Sequence, residues 1–127
     1  MTRFRLAMAW LILLLLLGAC GGQGVSSTEV EMGEFWISPV DGRLQAGKVE
    51  LLVENYGEFS HTLVVSDASG IVVGATDLIG PEAEALLTVD LVPGSYMFTC
   101  RIVKGLDDGT FVDHYQQGMA VSVDVSA

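Results

Sequence analysis

The sequence predicts an all-β fold, an antiparallel sandwich or barrel, from two observations: apolar and polar residues alternate in short segments, and turn-forming residues separate those segments. Val49, Leu51 and Val53 alternate with Glu50 and Glu54. Ala85, Leu87, Val89 and Leu91 alternate with Glu84, Thr88 and Asp90, and Val121, Val123 and Val125 with Ser122 and Asp124. Successive side chains of a strand point to opposite faces, so each series marks a strand with one buried side. The stretches 39–42, 55–57, 67–70 and 92–94 supply the Pro, Gly, Asn and Asp that turns require. Only 81–87 competes, with a composition that also suits a helical turn, and most of it reads as strand.

Ahead of these strands the chain carries a different signal. Arg3 and Arg5 precede Leu6 to Leu17, an apolar block without charge or proline. The block is shorter than the ~20 residues a membrane-spanning helix needs, so it reads as the apolar part of an export signal. Leu17, Gly18, Ala19 and Cys20 resemble the lipobox of bacterial lipoproteins. That resemblance implies removal of residues 1–19, lipid on Cys20, and attachment to the outer side of a membrane, periplasmic or extracellular. A plain secretory signal with an incidental cysteine is the alternative. Gly21, Gly22, Gln23, Gly24, Ser26 and Ser27 suit a flexible tether, placed at residues 20–28, before one domain of residues 29–127.

The chain is acidic, with sixteen Asp and Glu against six Lys and Arg and a formal net charge of −10. Removing the leader takes away two basic residues and no acidic one, which deepens the imbalance. Such a surface repels nucleic acid and favours a basic protein partner, although acidity also serves solubility alone. With Cys20 lipidated, Cys100 has no cysteine left to pair with, which points to a metal or a reactive role.

Strand parity says where the chemistry points. His61 shares a face with Leu63 and Val65, Cys100 with Tyr96 and Phe98, and Met119 with Val121, Val123 and Val125. His114 precedes Met119 by a short loop. A buried cysteine is ordinarily a small hydrophobe and a core methionine a space-filler. Here the only two histidines and the one remaining thiol fall at strand ends or in the adjoining loop. Two imidazoles, a thiolate and a weak thioether are the donor set of a blue copper site.

The stretches Phe35 to Pro39, Asn55 to Leu63, Leu91 to Cys100 and His114 to Met119 resemble the plastocyanin/azurin family of cupredoxins. The most specific piece is the last, a histidine and a methionine separated by four residues, with a Pro-Gly turn and an aromatic strand ending in cysteine upstream. The resemblance implies a Greek-key β-sandwich of about seven to eight strands. It implies one copper ion held by His61, Cys100, His114 and Met119, with Thr62 and Asn55 supporting them, in a monomeric single-electron carrier that is not an enzyme. It further implies an apolar patch near the second histidine through which electrons leave, here with Phe111 and Tyr115. Asp107 and Asp108 would steer a basic redox partner, such as a cytochrome or oxidase, toward it.

Two features depart from the family pattern. Thirteen residues, Arg101 to Asp113, separate Cys100 from His114 where the family has a shorter loop, so 105–109 must fold back as an excursion. Arg101 also stands where a hydroxyl residue commonly links to the position of Thr62. Other readings are weaker. Asp107, Asp108 and Asp113 lack the ligand spacing of a calcium loop, a Cys100 and His114 hydrolase lacks an orienting third group, and multicopper catalysis needs more histidines. A copper delivery protein and a copper-free interaction domain are the alternative functions.

Overall fold

The computed structural model describes residues 26–127 and is built of strands throughout. The leader, Cys20 and the first part of the tether lie outside the described residues. Eleven strands occur: β1 (Ser26–Gly33), β2 (Trp36–Pro39), β3 (Arg43–Gln45), β4 (Gly47–Asn55), β5 (Val64–Asp67), β6 (Val72–Ala75), β7 (Glu84–Leu91), β8 (Gly94–Thr99), β9 (Val103–Gly105), β10 (Phe111–Asp113) and β11 (Ala120–Ser126). One sheet has the order β2-β1-β4-β7, the other β3-β11-β8-β5-β6, and β9 with β10 forms a separate hairpin.

The alternating residues fill the space between the sheets. In β4, Val49, Leu51, Val53 and Asn55 are buried while the residues between them are not. Thr28, Val30 and Met32 of β1, Val89 and Leu91 of β7, Tyr96 and Phe98 of β8, and Val123 and Val125 of β11 are buried with them. Tyr96 also anchors the turn before its own strand. Its hydroxyl accepts the Val92 N–H at 3.1 Å and donates to the Val92 carbonyl at 3.0 Å.

Most strand pairs are antiparallel, as expected, but the sheets are mixed: β1 pairs parallel with β4, and β3 parallel with β11. Ser26 to Thr28, expected in the tether, open β1 because the long β4 offers partners at Val49, Glu50 and Leu51. The strand count exceeds seven or eight because the short β2, β3, β9 and β10 carry little alternation of their own. In 81–87 the strand begins at Glu84, after a turn at Pro81 and Glu82.

β11, β8 and β5 are neighbours, with Thr99 of β8 opposite both Ala120 of β11 and Val64 of β5. Cys100 follows Thr99, Met119 precedes Ala120, and His61 lies three residues before Val64. Three ligand positions are thereby brought to one end of three adjacent strands.

Candidate metal centre

His61, Leu63 and Val65 are fully buried, as parity requires, but the regular strand starts only at Val64. His61 is fixed instead by a two-way backbone bridge to Ile79, at 3.0 and 2.8 Å. Asn55 organises the loop that leads to it. Its amide nitrogen donates to the carbonyls of Phe59, Ile79 and Gly80, and its oxygen accepts the Gly57 N–H at 2.8 Å.

The other three ligands are tied to one another by backbone bonds. The Cys100 N–H donates to the Met119 carbonyl at 3.1 Å, the Met119 N–H to the His114 carbonyl at 3.1 Å, and the His114 N–H to the Ile102 carbonyl at 2.9 Å. The turn between His114 and Met119 closes at Gly118, whose φ of 122° disfavours any side chain. The long loop after Cys100 does fold back, as the β9–β10 hairpin. At its tip the Leu106 N–H donates to the Thr110 carbonyl at 2.8 Å.

The His61 and His114 Nδ1 atoms lie 3.1 Å apart, with Cys100 Sγ at 3.8 Å from the first and 3.6 Å from the second. All three residues are buried, and their ligand atoms fall within 4.8 Å of one another. Met119, fully buried, adjoins them through its bonds to Cys100 and His114. Three donor atoms this close together suit a soft or borderline metal ion, and the thiolate with two imidazoles suits copper. The Thr62 N–H points at Cys100 Sγ from 3.5 Å, with the Thr62 hydroxyl at 3.9 Å. Arg101 turns away and lies over the Tyr115 ring at 4.1 Å.

His114 is covered rather than exposed, with 1% of its surface accessible. Phe35 meets it edge-on with ring centroids 5.1 Å apart, and Phe59 stacks on it at 6.4 Å. Its Nε2 is buried without a hydrogen-bond partner. Burial, then the nearby His61 ring and Lys104, push its pKa below the ordinary 6.5, against the pull of Glu34 and Asp113, which favours the neutral ring that binds a metal. The shallow cleft beside it is lined by Phe59, Leu78, Ile102, Val103 and Lys104.

Phe111 stands on β10, 74% exposed, and Tyr115 sits under Arg101 at 38% exposure. Neither lines the cleft beside His114. Asp107 and Asp108 occupy the hairpin tip, where Asp108 accepts the Thr110 N–H at 2.9 Å and its hydroxyl at 2.6 Å. Asp113 instead closes the following turn by accepting the Gln116 N–H at 3.2 Å.

The sequence reading missed Glu34, in the turn between β1 and β2. Its Oε1 accepts from His61 Nε2 at 2.9 Å and from the Phe59 N–H at 2.8 Å, and its Oε2 accepts the Glu58 N–H at 2.9 Å. Burial alone would raise its pKa, but the two backbone donors and His61 outweigh that and hold it below 4.5. No local pattern signals Glu34, because it lies in a turn beyond the end of β1 and its partners come from far along the chain.

No protein-family model and no curated protein matches the chain. Solved structures do. The dithionite-reduced auracyanin of the photosynthetic bacterium Roseiflexus castenholzii is 19% identical, with a TM-score of 0.60 over 82% of this chain and 100% of its own. The azurin Az-iso2 of Methylomonas sp. strain J is 12% identical, with a TM-score of 0.60 over 82% and 100%. Auracyanin A of Chloroflexus aurantiacus, described as a "blue" copper protein, is 13% identical, with a TM-score of 0.60 over 81% and 100%. The chain has the cupredoxin fold, and at one end of it His61, Cys100, His114 and Met119 form a buried cluster fit for a single copper ion.

Proposed function

We propose that the chain is a single-electron carrier with one type 1 copper ion, tethered through lipid on Cys20 to the outer side of a bacterial membrane, and not an enzyme. The observation that carries this reading is the convergence of His61 Nδ1, His114 Nδ1 and Cys100 Sγ in a fully buried cluster beside Met119. Copper bound there supplies a one-electron couple between its cupric and cuprous forms. The chain's part is to hold the four ligands where both forms fit. Backbone bonds join Cys100, Met119, His114 and Ile102 in series, and His61 is bridged to Ile79, so the donors cannot relax far when the charge changes.

Burial also favours a carrier over a delivery protein, because handing on an ion requires an accessible donor and none of the three is accessible. The auracyanin A likeness supports copper, and the export signal supports a place near membrane redox proteins. The cleft lined in part by His114 offers an electron a way out, and the acidic chain suits a basic partner. Voltammetry of the copper-loaded protein tests the reading. It should give a reversible one-electron wave, and copper should pass to a chelator only slowly. An irreversible wave with rapid loss of copper would replace the carrier with delivery.

A further inference from the structure

Glu34 is a partly buried carboxylate hydrogen-bonded to a metal ligand. It lies in the turn between β1 and β2, its side chain is 24% exposed, and its hydrogen bonds all run to one ligand or to the loop carrying it. His61 Nε2 lies 2.9 Å from Oε1. An ionised carboxylate can only accept, so Nε2 carries the hydrogen and Nδ1 is left to face His114 and Cys100. Glu34 in turn is held by the N–H groups of Glu58 and Phe59, two residues before the ligand.

Room for it is made by Gly57. A Cβ there would overlap the Glu34 carboxylate and meet no other group as closely. The glycine thus leaves the space that the carboxylate fills.

We propose that Glu34 is a positioning residue of the metal centre: it orients the His61 ring and places a negative charge behind it, so that the site favours cupric over cuprous copper. The inference rests on the copper reading above. A carboxylate hydrogen-bonded to a metal-bound imidazole strengthens the imidazole as a donor, and losing such a partner costs about 10–100-fold in metal affinity. A negative charge close to the ion stabilises the more positive oxidation state, so the reduction potential is lower with Glu34 than without it.

Three variants of the full chain test this. Glu34→Gln removes the charge and leaves an oxygen for His61. Gly57→Ala keeps Glu34 but drives its carboxylate away. Asp124→Asn removes one charge from β11, which pairs with Ser95 far along β8 from Cys100. Copper affinity, potential and the visible spectrum are measured for each beside the native protein. Glu34→Gln and Gly57→Ala should both raise the potential and weaken cupric binding, with at least a tenfold change in the cupric-to-cuprous affinity ratio, about 59 mV for one electron. Asp124→Asn should leave both unchanged.

A copper-free readout accompanies these. Nitrogen-15 spectra should show His61 with hydrogen on Nε2 in the native protein and a mixture of tautomers in Gly57→Ala. Native potential and affinity in both variants, in a native protein that does bind copper, would overturn the role of Glu34. A native protein that shows no thiolate-to-copper band would overturn the copper reading itself, and the inference with it.

Discussion

His114 shows at the scale of one residue what the metal centre costs the fold. Its Nε2 is buried with no partner, and its Nδ1 faces another imidazole at 3.1 Å. A buried polar group left unpaired costs about 1–3 kcal/mol. Stability alone would put an apolar side chain there, among Phe35 and Phe59. His114→Leu is therefore expected to leave the copper-free protein as stable as the native one or stabilise it by about 1 kcal/mol, while copper binding is lost. Urea unfolding and copper titration of the same variant check both halves; a large loss of stability would show that His114 serves the core instead. Cys100 and His61 were legible in the sequence because strand parity aimed them inward. Glu34 was not legible, because a carboxylate in a turn is ordinarily solvated, and only the backbone donors of Glu58 and Phe59, far along the chain, make this one different.

Among the elements, the β9–β10 hairpin is the clearest departure from a plain sandwich. It accounts for the long spacing between Cys100 and His114 without separating them, because the chain leaves near Ile102 and returns to it, with His114 N–H bonded to the Ile102 carbonyl. Replacing the tip 106–110 with a two-residue turn is expected to leave the copper spectrum and potential unchanged. A changed spectrum would show that the tip constrains His114. The turn after β5 carries a second prediction. Asp67 accepts the Ser69 hydroxyl at 2.6 Å, the Ile71 N–H at 2.9 Å and the Ser69 N–H at 2.9 Å, and these bonds hold its carboxyl below the ordinary 3.8. A lowered carboxylate binds fewer protons in the folded than in the unfolded state, so its contribution is present above 3.8 and disappears as pH falls through the folded value. Asp67→Ala should accordingly lower Tm at pH 7 and have little effect near pH 2, which thermal melts at the two pH values measure. The long strands β4, β7 and β11 were readable from alternation, since each has one face in the core. Three-residue strands give a period too few repeats to show, and the parallel pairings of β1 and β3 depend on partners that no local pattern names.

Across the whole molecule, the two sheets meet at the metal centre. The five-stranded sheet brings His61, Cys100 and Met119 to one end of β5, β8 and β11, while the four-stranded sheet contributes Glu34 and Phe35 from the β1–β2 turn. The site is thus a junction of the sandwich and inherits its rigidity. The chain as a whole is acidic, with a formal net charge of −10. Electron exchange with a small cationic redox complex should slow as ionic strength rises, because salt screens the attraction over about 10 Å at 0.1 M. Stopped-flow rates across a salt series check this, and rates indifferent to salt would mean that the acidic groups do not guide encounter. Joint absorption and electron paramagnetic resonance spectra of the protein loaded with cupric ion test the copper centre most directly. An intense visible thiolate-to-copper band with the narrow copper hyperfine splitting of a thiolate-bound site is expected, both abolished in Cys100→Ser. A native protein with Cys100 reduced and no such band would contradict copper at this site.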